Sequence, residues 1–86
     1  MSPYTVYILE CADGTYYTGI TTDITRRIKE HNHSPKGAKY TQARRPVILR
    51  YHEEHPDKSL ALKREIEIKR MKRSAKINLM EKHKTS

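Results

Sequence analysis

The sequence has one cysteine, no tryptophan, no phenylalanine and no long hydrophobic run. A single cysteine, Cys11, excludes an intramolecular disulfide and a multi-thiolate zinc site, and its apolar surroundings indicate a small buried side chain. No apolar stretch approaches the ~18 residues that a membrane helix needs, and the first residues lack a basic leader and a cleavage site. These absences predict a soluble protein in a reducing, cytoplasmic compartment.

Acidic residues are also scarce: 10 of them face 18 lysines and arginines, which leaves a net charge of +8. Basic residues that neutralise phosphates release condensed counterions, so such a charge favours a nucleic-acid partner. A charge that only keeps a small protein soluble is the alternative. We expect one domain over residues 1–86, with a thin core over about 4–80 and a frayed tail at 83–86, because a chain this short buries only about two thirds of its unfolded surface.

Two short segments rich in β-branched and aromatic residues, 5–11 and 15–21, predict a β-hairpin around a turn at 12–14. A two-residue turn would place Tyr7 and Tyr17 on opposite faces, because a shift of one residue reverses a side chain's direction. A three-residue loop with Gly14 in the left-handed region sets Tyr7 opposite Gly19 and brings both tyrosines to one face. We expect the three-residue loop.

A helix is predicted from the N-cap Asp23 to about residue 32. Arg27 and His31 lie four residues apart, one step from its apolar stripe, which predicts a place for both at the boundary between core and solvent. An ordinary solvated helix with i, i+4 ion pairs is the alternative.

The segment 33–45 has no clear periodicity and is predicted to be a loop. Basic groups around a tyrosine suit contact with backbone phosphates and a stacked base, although an ordinary surface loop has similar composition. The candidate nucleic-acid contacts are Lys36, Lys39, Tyr40, Arg44, Arg45 and, on a later helix, Lys69.

After a third predicted strand at 47–52, a helix is expected over 58 to about 72, capped by Asp57 or Ser59, and a last one from the cap Ser74 to about residue 82. Glu65 falls inside the apolar face of the first of these helices. A core-facing acid is costly unless a cation or donors accompany it, and an i, i+4 pair with Lys69 at the helix edge is the alternative.

Two tyrosines, an arginine, a histidine and one carboxylate could together hydrolyse a phosphodiester. Mg²⁺ keeps several waters and needs few protein ligands, so a lone carboxylate can hold it. The metal would polarise the phosphate, a guanidinium would hold the developing charge, and a phenol or imidazole would take a proton from water.

Four segments in this order resemble the GIY-YIG nuclease superfamily, and in particular its small stand-alone bacterial branch. They are Thr5-Val6-Tyr7, Tyr17-Thr18-Gly19, the arginine helix 23–31 and the glutamate helix 61–65, and the branch's Lys39-Tyr40-Thr41 and Arg45-Pro46 are also present. The resemblance covers Tyr4 to about Leu79. It implies an α/β (α+β) fold with a small three-stranded, mostly antiparallel sheet flanked by helices in the order β-β-α-β-α-α.

The resemblance also implies an activity: a metal-dependent DNA endonuclease or phosphodiesterase of low sequence specificity, acting on DNA structure or in DNA repair, with one Mg²⁺ or Mn²⁺ ion. DNA is a more probable substrate than RNA, and a protein partner could supply specificity. A non-catalytic nucleic-acid binding module on the same fold is the alternative, and a protein-interaction adaptor is a third.

The same resemblance assigns roles to five residues. Tyr7 and Tyr17 are similar to the paired active-site tyrosines, and Arg27 to the arginine that stabilises the phosphate. His31 is similar to a partner that handles protons, and Glu65 to the single metal ligand. A free phenol has a pKa near 10, so a tyrosine base needs Arg27, His31 or the metal to favour phenolate.

Overall fold

A three-stranded sheet, antiparallel throughout, forms the centre of the protein, which a computed structural model describes over residues 3–85, with side chains to residue 82. The strand order is β2-β1-β3. The elements are β1 (Tyr4–Glu10), β2 (Tyr16–Thr21), α1 (Ile24–His33), α2 (Lys39–Gln42), β3 (Ile48–His55), α3 (Lys58–Lys69) and α4 (Arg73–Thr85). The predicted fold class is confirmed, with a short additional helix α2.

The hairpin has the predicted three-residue register. Tyr7 pairs with Gly19 and Leu9 with Tyr17, while Gly14 takes a φ of +84° in the turn. A side chain at Gly19 would not fit, since a Cβ there would lie 2.5 Å from the Tyr7 hydroxyl oxygen. The register therefore places both tyrosines on one face, and the glycine makes room for the Tyr7 ring.

The central strand β1 is buried on both faces. On one face Val6 and Ile8 pack against side chains of α3 and α4. On the other, Tyr7 and Leu9 form a cluster with Cys11, which is 4% exposed as expected of a small buried residue. The sheet thus separates two layers, with α1 and α2 on the second face.

Two of the predicted helix caps are confirmed. The Asp23 carboxylate accepts from the Arg26 amide, and the Asp57 carboxylate accepts from the Leu60 amide. The predicted cap at Ser74 is wrong, because α4 already begins at Arg73.

Other boundaries differ from the predictions. The segment 33–45 contains α2, where the amides of Thr41 and Gln42 both donate to the Ala38 carbonyl. β3 continues to His55 because it pairs with the start of β1, and α3 ends at Lys69, where the Met71 amide closes the last turn onto Ile68.

Two further predictions concern membrane-spanning helices and the C-terminal tail. No helix within residues 3–85 is long and apolar enough to cross a bilayer. The predicted fraying of 83–86 lies outside what the structure describes, because it covers neither these side chains nor the last residue. The backbone of α4 extends to Thr85.

Candidate active site

His31 on α1 and Tyr7 on β1 form the centre of the candidate site. Their side chains meet at 2.8 Å between Tyr7 Oη and His31 Nε2. The prediction that His31 lies at the boundary with solvent is wrong, since it is 0% exposed. It is covered because the loop after α1 folds back as α2 and places Thr41 against its other nitrogen.

Thr41 determines which ring nitrogen of His31 carries the proton. The Thr41 hydroxyl donates to the Ala38 carbonyl at 2.9 Å, so its oxygen must act as acceptor toward His31 Nδ1, which lies 2.8 Å away. Nδ1 therefore carries the hydrogen, and the unprotonated Nε2 accepts from the Tyr7 hydroxyl. The result is one directed chain of hydrogen bonds from Tyr7 through His31 and Thr41 to the backbone.

Burial controls the protonation of both members of the central pair. Burial, and then the positive Arg27, lowers the pKa of His31 to about 4. Burial also raises the pKa of Tyr7 to about 12, because it outweighs the opposite effect of a hydrogen bond from Arg27. At neutral pH the pair is thus a protonated phenol beside a neutral imidazole, because Arg27 favours phenolate too weakly to offset burial.

Tyr17 connects the buried pair to the surface. Its ring meets the His31 ring edge-on with centroids 5.2 Å apart, and it stacks on Tyr40 at 6.0 Å. The Arg44 guanidinium lies over the Tyr40 ring, 3.9 Å from its centroid. Tyr7 and Tyr17 have ring centroids 6.5 Å apart, so the two tyrosines and the histidine form one aromatic cluster.

Arg27 stands beside this cluster with part of its side chain in solvent. Its guanidinium donates to Glu30 Oε1 at 2.9 Å and to the Lys36 carbonyl at 3.0 Å. The ordinary i, i+4 pair between Arg26 and Glu30 is also present, at a longer 3.8 Å. Arg27 is therefore held in place and still reachable by a ligand.

Glu65 lies on α3, on the far layer of the sheet. Its side chain is 16% exposed and forms an ion pair with Lys69 at 3.5 Å. It is therefore largely buried, as expected of a core-facing acid, and it also makes the i, i+4 pair that was the alternative. After burial and the neighbouring Tyr17, its negative charge also contributes to the raised pKa of Tyr7.

A single carboxylate such as Glu65 fits a hard divalent ion that keeps most of its water. No group of three or more histidine, cysteine, aspartate or glutamate side chains that could hold a metal occurs within the described residues. Mg²⁺ is commonly held by one or two carboxylates together with substrate phosphates and waters. A donor set of this size suits that ion and does not suit a structural metal.

The candidate nucleic-acid contacts divide into two groups. Lys36, Lys39 and Tyr40 are exposed, and Arg44 lies over the Tyr40 ring while forming an ion pair with Asp13 at 3.0 Å. The Arg45 guanidinium instead donates to three backbone carbonyls at the end of α1, those of Glu30, His31 and Ser34. Arg45 therefore stabilises the helix end, and Lys69 is engaged by Glu65.

Thr41 is the functional residue that sequence reasoning missed. It is 0% exposed although it lies in a segment predicted to be a loop. Neither polarity nor spacing marks it as buried; the only available signal is its place in the Lys39-Tyr40-Thr41 feature of the resemblance.

Known proteins resemble this chain in sequence and fold. A model of the GIY-YIG catalytic domain matches residues 3–78. A UPF0213 protein of Desulfotalea psychrophila is 59% identical over 75 residues, which are 87% of this chain and 68% of that protein. A UPF0213 protein of Halobacterium salinarum is 55% identical over 71 residues, 83% of this chain and 91% of that one.

Two solution NMR structures are similar as well. That of a UPF0213 protein from Bacillus halodurans has 48% identity and a TM-score of 0.59, with 92% of this chain and 83% of that chain covered. That of a protein from E. faecalis has 34% identity and a TM-score of 0.67, with 100% of this chain and 91% of that chain covered.

Proposed function

The chain belongs to the GIY-YIG family, and on that premise we propose that it is a metal-dependent endonuclease that hydrolyses DNA phosphodiester bonds. The observation that carries the proposal is the directed hydrogen-bond chain from Tyr7 through His31 to Thr41, with Arg27 beside it. A neutral imidazole bonded to a phenol can take up a proton, and a guanidinium can hold the charge of a phosphoryl transition state.

In this mechanism Tyr7 and His31 act as one proton acceptor. The attacking water loses a proton to Tyr7 Oη while the phenolic proton moves to His31 Nε2, so that no free phenolate is needed. A bond forms between the water oxygen and phosphorus, the bond to the leaving oxygen breaks, and solvent protonates that oxygen. The half-buried Tyr17 orients the water.

Arg27 and Glu65 handle negative charge. Arg27 contacts the non-bridging oxygens of the scissile phosphate. Glu65 would hold a divalent ion, Mg²⁺ or Mn²⁺, which when bound neutralises charge on the phosphate. To hold the ion Glu65 would give up its ion pair with Lys69, and Lys69 would then be free to approach the substrate backbone.

The substrate is held mainly through its backbone. Lys36, Lys39 and Arg44 present positive charge beside the cluster, and Tyr40 offers a ring edge to a base. Such contacts position a strand and carry little sequence information, so we propose low sequence specificity, recognition of DNA structure in repair, and recruitment by a protein partner.

A nicking assay tests the proposal. Branched, single-stranded and duplex DNA and an RNA of the same sequence are incubated with Mg²⁺, Mn²⁺ or Ca²⁺ and the wild-type protein, Glu65→Ala or Arg27→Ala. We expect metal-dependent cleavage that both variants reduce by roughly two to three orders of magnitude while binding persists. Glu67→Ala and Lys29→Ala, exposed positions on the same helices, should cleave normally. Equal cleavage by Glu65→Ala would contradict the proposal.

The second candidate is a nucleic-acid binding module without turnover. Two observations favour it: Tyr7 is 1% exposed, and the ion pair of Glu65 is with Lys69. It predicts salt-dependent binding, no cleavage with any of the three ions, and no effect of Glu65→Ala on affinity.

A further inference from the structure

An open cleft of about 430 Å³ lies where β1 begins and β2 ends, between the first turns of α1 and α3. It adjoins the candidate site, because Arg27 belongs to both. Its lining includes Tyr4, Ile20, Arg26, Arg27, Glu30 and Lys58. Tyr4, at the edge of the cleft, is three residues before Tyr7 and therefore ~10 Å from it along β1.

The cations of this cleft differ in what already binds them. Arg27 and Arg26 share the carboxylate of Glu30, at 2.9 and 3.8 Å. Lys58 is exposed and has no ion pair or hydrogen bond from its side chain within the described residues. It is thus the cation that can bind an anion without first breaking an ion pair.

The position of Lys58 in its helix also favours a role in binding an anion. It is the first residue of α3, directly after the cap Asp57. A cation near a helix N-terminus is disfavoured by the helix dipole, by about 0.3–1 kcal/mol. Lys58 therefore contributes nothing to the stability of α3 through that dipole. The Asp57 carboxylate already caps the helix end, so the lysine is the group that would attract an anion bound in the cleft.

We propose that this cleft binds a backbone phosphate of the substrate strand next to the scissile phosphate, and that Lys58 is the residue that holds it. The inference rests on the proposed function for the identity of the ligand. The helices α1 and α3 give the cleft lining a net positive charge. Ile20 of β2, which also lines the cleft, contributes no charge. A strand whose scissile phosphate lies at Arg27 would continue across this cleft.

Binding without cleavage tests the inference. Anisotropy of a fluorescent single-stranded oligonucleotide is measured with the Glu65→Gln protein in chelator, at several salt concentrations. Adding Lys58→Gln should weaken binding roughly five- to eightfold at 0.1 M salt and reduce the slope of log affinity against log salt by about one. Lys63→Gln, an exposed lysine on the same helix without an ion pair in the described part of the chain, should change neither quantity.

A charge-relocation variant makes the test specific to the cleft. Thr22 is exposed and lines the same cleft, so Thr22→Lys in the Lys58→Gln protein should restore most of the lost affinity and slope. Equal behaviour of Lys58→Gln and Lys63→Gln would overturn the inference and leave the proposed nuclease intact. Absence of nucleic-acid binding by all proteins, the parent included, would overturn both.

Discussion

The two faces of the sheet are built from different chemistry. The face toward α3 and α4 is filled mainly by apolar side chains, with Val6, Ile8, Ala61 and Ile68 fully buried and Tyr51 the one buried tyrosine among them. The face toward α1 and α2 buries polar ring and hydroxyl groups instead, in Tyr7, His31 and Thr41. One strand, β1, contributes alternate residues to both.

The difference separates stability from chemistry. Aliphatic burial stabilises a fold without the need for directed partners, whereas a buried polar group costs about 1–3 kcal/mol unless it is hydrogen-bonded. Every buried side-chain nitrogen and oxygen in the described residues has a partner. The polar face is thus fully satisfied, and it keeps a phenol and an imidazole in one arrangement, which suits a reaction site.

Among changes to the polar face, Tyr7→Phe should reduce cleavage the most. The substitution keeps the ring and removes the hydroxyl that accepts and passes on the proton. We expect single-turnover cleavage to fall about a thousandfold, within the range of general base catalysis, and the free energy of unfolding in urea to change by about 1 kcal/mol. A Tyr7→Phe protein that cleaves like the wild type would contradict the assigned role.

Ile68→Ala should destabilise the aliphatic face without affecting cleavage. Ile68 is 0% exposed, so the cavity should cost about 2–4 kcal/mol of unfolding free energy. Cleavage per folded molecule should not change. Leu62→Ala on the same helix, where the side chain is 39% exposed, is the matched control and should cost less than about 1 kcal/mol.

Acid should weaken the polar face through His31. Its folded pKa of about 4 lies below the ordinary histidine value of 6.5, so the unfolded chain binds the proton first and stability falls as pH drops from 6.5 toward 4. The loss is about 3 kcal/mol. Urea melts of wild type and His31→Gln should differ in this pH range, while exposed His33→Gln should follow the wild type; a His31 NMR titration near 6.5 would refute the assignment.

Thr41→Val should have the smallest effect of these changes to the polar face. Removal of the hydroxyl leaves His31 Nδ1 without its acceptor and should cost about 1–2 kcal/mol. The ¹⁵N chemical shifts of the ring should then report a mixture of tautomers, and cleavage should fall roughly tenfold. Thr41→Ser should restore the single tautomer; an unchanged tautomer in Thr41→Val would rule out Thr41 as a positioning residue.

Sequence reasoning succeeded where neighbours along the chain decide the outcome. The register of the hairpin follows from the turn at Gly14, and the start of α1 from the carboxylate of Asp23, both within a few residues. It failed for His31, whose burial depends on Thr41 ten residues away. It also gave no sign that the Arg45 guanidinium binds carbonyls 11 to 15 residues earlier. Periodicity describes one element at a time and cannot report such contacts.

The amino-acid sequence by itself determined the strands, the starts of α1 and α3, the face shared by the two tyrosines and the family, because these depend on local geometry and on the order of residues. Only the tertiary structure decided the direction of the protons between Tyr7, His31 and Thr41 and the place of Lys58 in the Arg27 cleft. The physical reason is that hydrogen-bond direction, burial and pKa depend on distances between elements far apart in the chain, which packing alone sets.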